Sequence, residues 1–126
     1  GLEICPGRVV LAQAGRHLVL KRKADGRVEA QLPVAPVNLP HRPAADVLFR
    51  SAAGCYGKAV MGVVMTGMGD DGKEGAAWIK AQGGLILTEA EQSCVIYGMP
   101  RSVVEAGLSD AAVPLDRMAR TIMEQI

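Results

Sequence analysis

The stretch that decides the fold is Val60-Met61-Gly62-Val63-Val64-Met65-Thr66-Gly67-Met68-Gly69-Asp70-Asp71-Gly72. Its continuous apolar run, residues 60–65, fits a central parallel strand covered on both faces. Three glycines and two aspartates follow, and residues 73–82 then read as a helix closed by Gly83-Gly84. Strand, glycine-rich turn and helix form the repeating unit of an open α/β sheet. The turn lies at the carboxyl end of the strand, where such sheets place their sites.

Working outward, residues 85–88 read as the next strand. Pro100 opens a short helix through Val103, Val104 and Ala106 that stops at Gly107. Ala111, Ala112 and Val113 suit a short edge strand. Leu115, Met118, Ala119, Ile122 and Ile126 recur at helical spacing and predict a buried stripe on a last helix. Upstream, Ala44, Val47, Leu48, Ser51, Ala52 and Cys55 mark a helix that Pro43 starts and Gly54 and Gly57 end. Residues 8–12 (Arg-Val-Val-Leu-Ala) suit a strand. Residues 17–21 and 27–32 flank Lys23-Ala24-Asp25-Gly26, whose Asp-Gly is a strong hairpin signal. Pro33, Pro36, Pro40 and Pro43 crowd the segment between, which reads as a stiff loop lying over a surface. The expected fold is α/β: a doubly wound, mostly parallel sheet with an inserted β-hairpin.

Length and composition limit the rest. A chain of 126 residues with 49% hydrophobic and 21% charged residues suits one globular domain that needs no disulfide staples. A net charge of +1 and four aromatic residues argue against nucleic-acid binding. No apolar stretch approaches the length of a membrane span, and no signal segment is visible, so a soluble cytoplasmic domain is expected. Cys5, Cys55 and Cys94 are widely spaced without a C-x-x-C pair, and only His17 and His41 are present. Neither a metal site nor a cofactor is expected. Charge is uneven, however. Residues 1–58 carry nine Lys/Arg against four Asp/Glu, with Arg16, Lys21, Arg22, Lys23 and Arg27 grouped at the hairpin. That cluster reads either as a solvated face or as a docking surface for an acidic partner.

Three readings of the glycine-rich turn compete. Gly67-x-Gly69-x-x-Gly72 fits a dinucleotide fingerprint, with Glu89 at the end of the next strand as the ribose-binding acid. Asp70 and Asp71 oppose it, since two carboxylates would repel a pyrophosphate. In the second reading Asp71 is the N-cap of the following helix and Glu74 its capping-box partner. In the third, one aspartate is a catalytic carboxylate that orients a general-base histidine. The serines Ser51, Ser93, Ser102 and Ser109 lie in no G-x-S-x-G elbow, so this reading lacks a nucleophile here. Of the histidines, His41 is the better placed for a site.

Four ordered motifs then carry a family resemblance. Residues 64–72 (VMTGMGDDG) strongly resemble the signature of the catalytic domain of chemotaxis protein-glutamate methylesterases (CheB). Residues 6–12 (PGRVVLA) resemble that family's first strand after its P-G turn. Residues 41–49 (HRPAADVLF) are similar to its H-R-P-S-x-D-x-L-F helix entry, with Ala44 where the family has serine. Residues 93–101 (SCVIYGMPR) resemble its later Y/F-G-M-P-R turn.

The resemblance implies a doubly wound hydrolase domain acting on receptor glutamate methyl esters, and in some members on receptor glutamines, through a Ser-His-Asp triad. It places the triad aspartate at Asp71 and the oxyanion-binding amide at Met68, within an active-site loop that includes Thr66, Gly67 and Gly69. The family's G-x-S-T-G-G elbow and Q-H-M histidine precede the region matched by Pro6. The chain is therefore expected to be a partial catalytic domain, incomplete at its N-terminus and inactive alone. The implied partners are methyl-accepting chemotaxis receptors and a receiver domain in the full-length protein. Self-association through an exposed sheet edge is also expected. The alternative is a truncated, non-catalytic homologue that binds receptors or other proteins.

Overall fold

The computed structural model describes residues 1–126. In chain order it contains β1 (Leu2–Glu3), β2 (Val19–Arg22), β3 (Val28–Gln31), α1 (Ala45–Tyr56), β4 (Met61–Val64), α2 (Lys73–Ala81), β5 (Leu85–Glu89), α3 (Gly98–Glu105), β6 (Ala111–Val113) and α4 (Leu115–Glu124). Strands β4, β5 and β6 form a parallel sheet in that order, while β1, β3 and β2 form a separate antiparallel one.

Side-chain alternation across the parallel sheet divides the core in two. Val64 and Ile86 face α1, α2 and α3, packing with Ala53, Ala76, Ile79 and Val103. The buried Val64, Ile79, Ile86 and Val103 side chains each contribute about 1.5–3 kcal/mol. On the other face Leu87, Val113 and Met118 pack together, with Met61, Val63, Met65, Leu85 and Ile122 half-buried around them. Helices thus cover both faces of a parallel sheet, as the sequence pattern implies. The coverage is unequal, with three helices on one side and α4 alone on the other.

The hairpin forms as expected. Val19 pairs with Gln31 and Arg22 with Val28, and Gly26 takes φ 90° in the turn. Its basic residues are largely engaged within the chain. Arg27 pairs with Asp25 at 2.7 Å and Lys23 with Glu29 at 3.4 Å, while Arg22 donates to the Gly26 and Cys55 carbonyls, both at 2.6 Å. Ser51 joins the hairpin to α1, accepting from the Leu20 amide at 3.0 Å and donating to the Leu48 carbonyl at 2.8 Å.

Several expectations are corrected. Residues 8–12 form no strand, because they find no ladder partner and Val9 and Leu11 stand 87% and 86% exposed. Within residues 1–126 β4 pairs on one side only, with β5, and only its alternate residues Gly62 and Val64 are buried. Gly54 lies inside α1, and Gly57 alone ends it. α3 begins at Gly98, before Pro100. The last stripe is mostly bare: Met118 is buried, Ile122 is half-buried, and Leu115, Ala119 and Ile126 are exposed. α4 packs chiefly beside β6 at the rim of the thinly covered face, which leaves those residues nothing to pack on.

The proline-rich segment is pinned by His17, which is fully buried. Its Nδ1 accepts from the Ala44 amide at 3.3 Å, so the proton sits on Nε2 and is donated to the Pro36 carbonyl at 2.8 Å. His17 is therefore a structural clamp that sets where α1 begins.

Candidate active site

The turn after β4 and the start of α1 meet through two aspartates, each capping the other's helix. Asp71 Oδ2 accepts from the Ala45 amide at 2.7 Å, and Asp71 Oδ1 accepts from the Asp46 amide at 2.9 Å. In return, Asp46 Oδ1 accepts from the Gly72 and Gly75 amides at 2.9 and 2.7 Å. First-turn amides have no partner within their own helix, and a carboxylate also suits the positive end of the dipole. Asp71 is consequently not the cap of α2, as the local pattern suggests. The N-cap position there is Gly72, in a left-handed conformation at φ 103° and without a side-chain cap. Glu74 takes no part in a capping box. The partner that replaces it lies 25 residues upstream of Asp71, beyond the reach of a local pattern.

Burial pushes the Asp46 carboxyl above the usual aspartate range. The neighbouring Asp71 charge adds to that push, while the Gly75 and Gly72 amides oppose it. One carboxylate is thus held under electrostatic load beside another.

The remainder of the turn is fixed from the far side. Thr66 Oγ1 donates to the Ile96 carbonyl at 3.1 Å and accepts from the Ile96 amide at 2.9 Å. The Gly67 amide donates to the Ile96 carbonyl at 3.0 Å, and the Met99 amide donates to the Gly67 carbonyl at 2.8 Å. This brings two of the motif segments, around residues 66–69 and 96–99, into backbone contact. The approach is close enough that a Cβ on Gly98 would lie 2.8 Å from the Gly67 oxygen and 2.9 Å from the Gly69 nitrogen. Gly69 itself has φ 93°. Between these anchors Met68 stands 78% exposed, and its amide donates no hydrogen bond within the chain.

Beside Asp71 lies a pocket of about 150 Å³ lined by Leu39, Pro40, His41, Ala44, Asp46, Gly69, Asp70 and Asp71. His41 thus shares a pocket wall with Asp71, although no hydrogen bond joins them. Ser51 is committed to the hairpin contact and Ser93 to Glu89, at 2.9 Å, so neither is free as a nucleophile. Glu89 is buried and turned into the protein, which removes the ribose-binding acid of the dinucleotide reading. In the sequence Asp46 stands out only as the aspartate of the HRPAADVLF motif and an acidic residue in the first turn of the α1 pattern, and neither signal names the α2 amides it caps.

A family model described as CheB methylesterase matches residues 1–122. A protein-glutamate methylesterase/protein-glutamine glutaminase of Myxococcus xanthus is 50% identical over 126 residues, covering 100% of this chain and 36% of the relative. One from Albidiferax ferrireducens is 43% identical over 124 residues, covering 98% of this chain and 36% of the relative. The crystal structure of the Thermotoga maritima CheB methylesterase catalytic domain matches with a TM-score of 0.95 at 36% identity, covering 100% of this chain and 66% of that one. The chain spans about a third of the length of these curated relatives.

Proposed function

The chain belongs to the CheB methylesterase family, and from that premise we propose that it supplies the aspartate side of a Ser-His-Asp site. The site hydrolyses glutamate methyl esters on methyl-accepting chemotaxis receptors and deamidates receptor glutamines. Residues 1–126 are a partial catalytic domain in this reading. The serine and histidine come from elsewhere in the full-length protein, which also carries a receiver domain and works in the cytoplasm.

The observation that carries the proposal is the grip on Asp71. Two α1 amides, at 2.7 and 2.9 Å, hold its carboxylate at the carboxyl end of the sheet. Each carboxylate oxygen keeps a second lone pair, so an imidazole N–H entering beside the pocket can still be accepted. A carboxylate so held fixes the histidine's tautomer and stabilises the imidazolium that forms when the serine loses its proton. The serine oxygen then attacks the ester carbonyl, and charge develops on the carbonyl oxygen. The unpartnered Met68 amide is suited to receive that oxyanion, with Thr66, Gly67 and Gly69 shaping the turn that presents it. Such a donor contributes about 3–4 kcal/mol of transition-state stabilisation. Methanol leaves from an ester, or ammonia from an amide, and water releases the acyl-enzyme.

The test is Asp71→Ala in the full-length protein, assayed by methanol release from a peptide bearing a glutamate γ-methyl ester. The expected result is a kcat about 10³- to 10⁴-fold lower. Ordinary turnover by the variant would overturn the reading.

A further inference from the structure

We propose that Glu89 is a positioning residue for this hydrolytic site, setting the height at which the oxyanion turn leaves the sheet. The proposal rests on the function proposed above. Glu89 is 1% exposed, and no lysine, arginine or histidine pairs with it. A carboxyl buried without a cation is an expensive choice for a position whose only duty is to fill space. Its contacts supply a different duty.

The main-chain register of β4 with β5 ends at Val64 opposite Thr88. One residue further along β5, the Glu89 side chain takes over from the ladder, with Oε1 accepting from the Thr66 amide at 2.9 Å. Oε2 accepts from the Ser93 hydroxyl at 2.9 Å, and Ser93 Oγ in turn accepts from the Leu115 amide at 3.0 Å. Thr66 is thereby held on its amide by Glu89 and on its hydroxyl by Ile96, two residues before the Met68 amide. The chain Leu115–Ser93–Glu89–Thr66 ties the start of α4 and the Glu91–Ser93 turn to the site. Without the Glu89 acceptor the Thr66 amide is unpaired, and the turn is held from one side only.

The chemistry distinguishes substitutions. Glutamine can present Oε1 to the Thr66 amide and donate from its nitrogen to Ser93 Oγ. The Ser93 hydroxyl then turns to the Ala90 carbonyl, already 3.3 Å away. Methionine fills the same space and accepts from neither donor. In the full-length protein, with methanol release from the γ-methyl ester peptide as the assay, E89Q is expected to keep kcat within about twofold. E89M is expected to lower kcat by about tenfold to a hundredfold, because a displaced donor misses the oxyanion. KM should stay unchanged in both, and melting temperatures identify any loss of fold. Ser93→Ala, which frees Oε2 and the Leu115 amide but leaves the Oε1 bond to Thr66 in place, should lower kcat several-fold and carries the test if E89M does not fold. An active wild type with unchanged kcat in the folded E89M variant, or in Ser93→Ala if E89M is unfolded, overturns the positioning role alone. An inactive wild type overturns the hydrolase reading and the role with it.

Discussion

Replacing each of the two interlocked aspartates by asparagine should have opposite outcomes, and the reason lies in which oxygens are used. Asp46 spends one oxygen, Oδ1, on both the Gly72 and Gly75 amides. Asp71 spends one oxygen on each of the Ala45 and Asp46 amides. An asparagine at position 46 can therefore keep both bonds, whereas one at position 71 must set its NH₂ against one of the two amides. Asp46→Ala strips a cap from two part-buried donors, costing about 2–3 kcal/mol in a domain whose total stability is about 5–15 kcal/mol. Asp71→Asn should cost about 1–3 kcal/mol through the single unpaired donor.

Asp46→Asn should match the wild type at neutral pH or exceed it. The folded-state pKa of Asp46 is raised by burial and by Asp71, so ionising it costs more in the folded chain than in the unfolded one. That penalty is complete above the raised pKa and disappears as pH falls below the ordinary aspartate value. Any advantage of the Asp46→Asn variant should fade over the same interval. Urea unfolding of the full-length protein followed by circular dichroism measures the energies, and hydrogen exchange at Gly75 and Ala45 localises them. The reasoning is refuted if Asp46→Asn falls as far as Asp46→Ala, or if Asp71→Asn is as stable as the wild type.

Gly75→Ala should destabilise by about 1–3 kcal/mol despite alanine's better helix propensity. The new Cβ would lie 2.6 Å from Phe49 Cβ and 3.0 Å from Asp46 Cα at the α1–α2 crossing; an unchanged or higher melting temperature would contradict this. Asp110→Ala should cost about 1–3 kcal/mol, since Asp110 accepts from the buried Ile86 amide and from Lys80, both at 2.7 Å. Burial pushes Asp110 up, but Lys80 and the Ile86 amide outweigh it and hold the carboxyl below its usual range. Its stabilisation is thus full above the ordinary aspartate value and lost as pH falls through the lowered one. Wild type and variant should therefore converge in acid, and parallel curves across a pH series of urea melts would argue otherwise. The 126-residue chain studied alone should self-associate through the open edge of β4 and the half-buried Met61, Val63 and Met65. A monodisperse monomer in sedimentation velocity would count against that.

What the sequence discloses about this molecule follows the range of each interaction. The hairpin was legible because Asp25-Gly26 acts within four residues, and the order of strands and helices because each element carries its own period. The turn at residues 66–72 was legible through its glycines. The strand expected at residues 8–12 was not, since β-branched residues make a strand only where a neighbour offers a ladder. The one-sided pairing of β4 within residues 1–126 and the bare stripe of α4 are likewise matters of what packs opposite. The capping of α2 was misread for the same reason. A local rule nominated Asp71 with Glu74, and the helix took its acceptor from Asp46, across the crossing with α1. Asp71 could be singled out in the sequence, but the amides that hold it could not.

The swapped caps also bear on the order in which the chain is made. Synthesis runs from the amino terminus, and α1 emerges before Asp71 has been added. A twelve-residue helix is marginal in isolation, so its leading turn stays frayed until the later segment reaches it. Asp46 meanwhile waits on amides that do not yet exist. Neither helix can finish ahead of its neighbour, and chains truncated between residues 57 and 70 and released from the ribosome should present α1 to proteases as an unfinished coil.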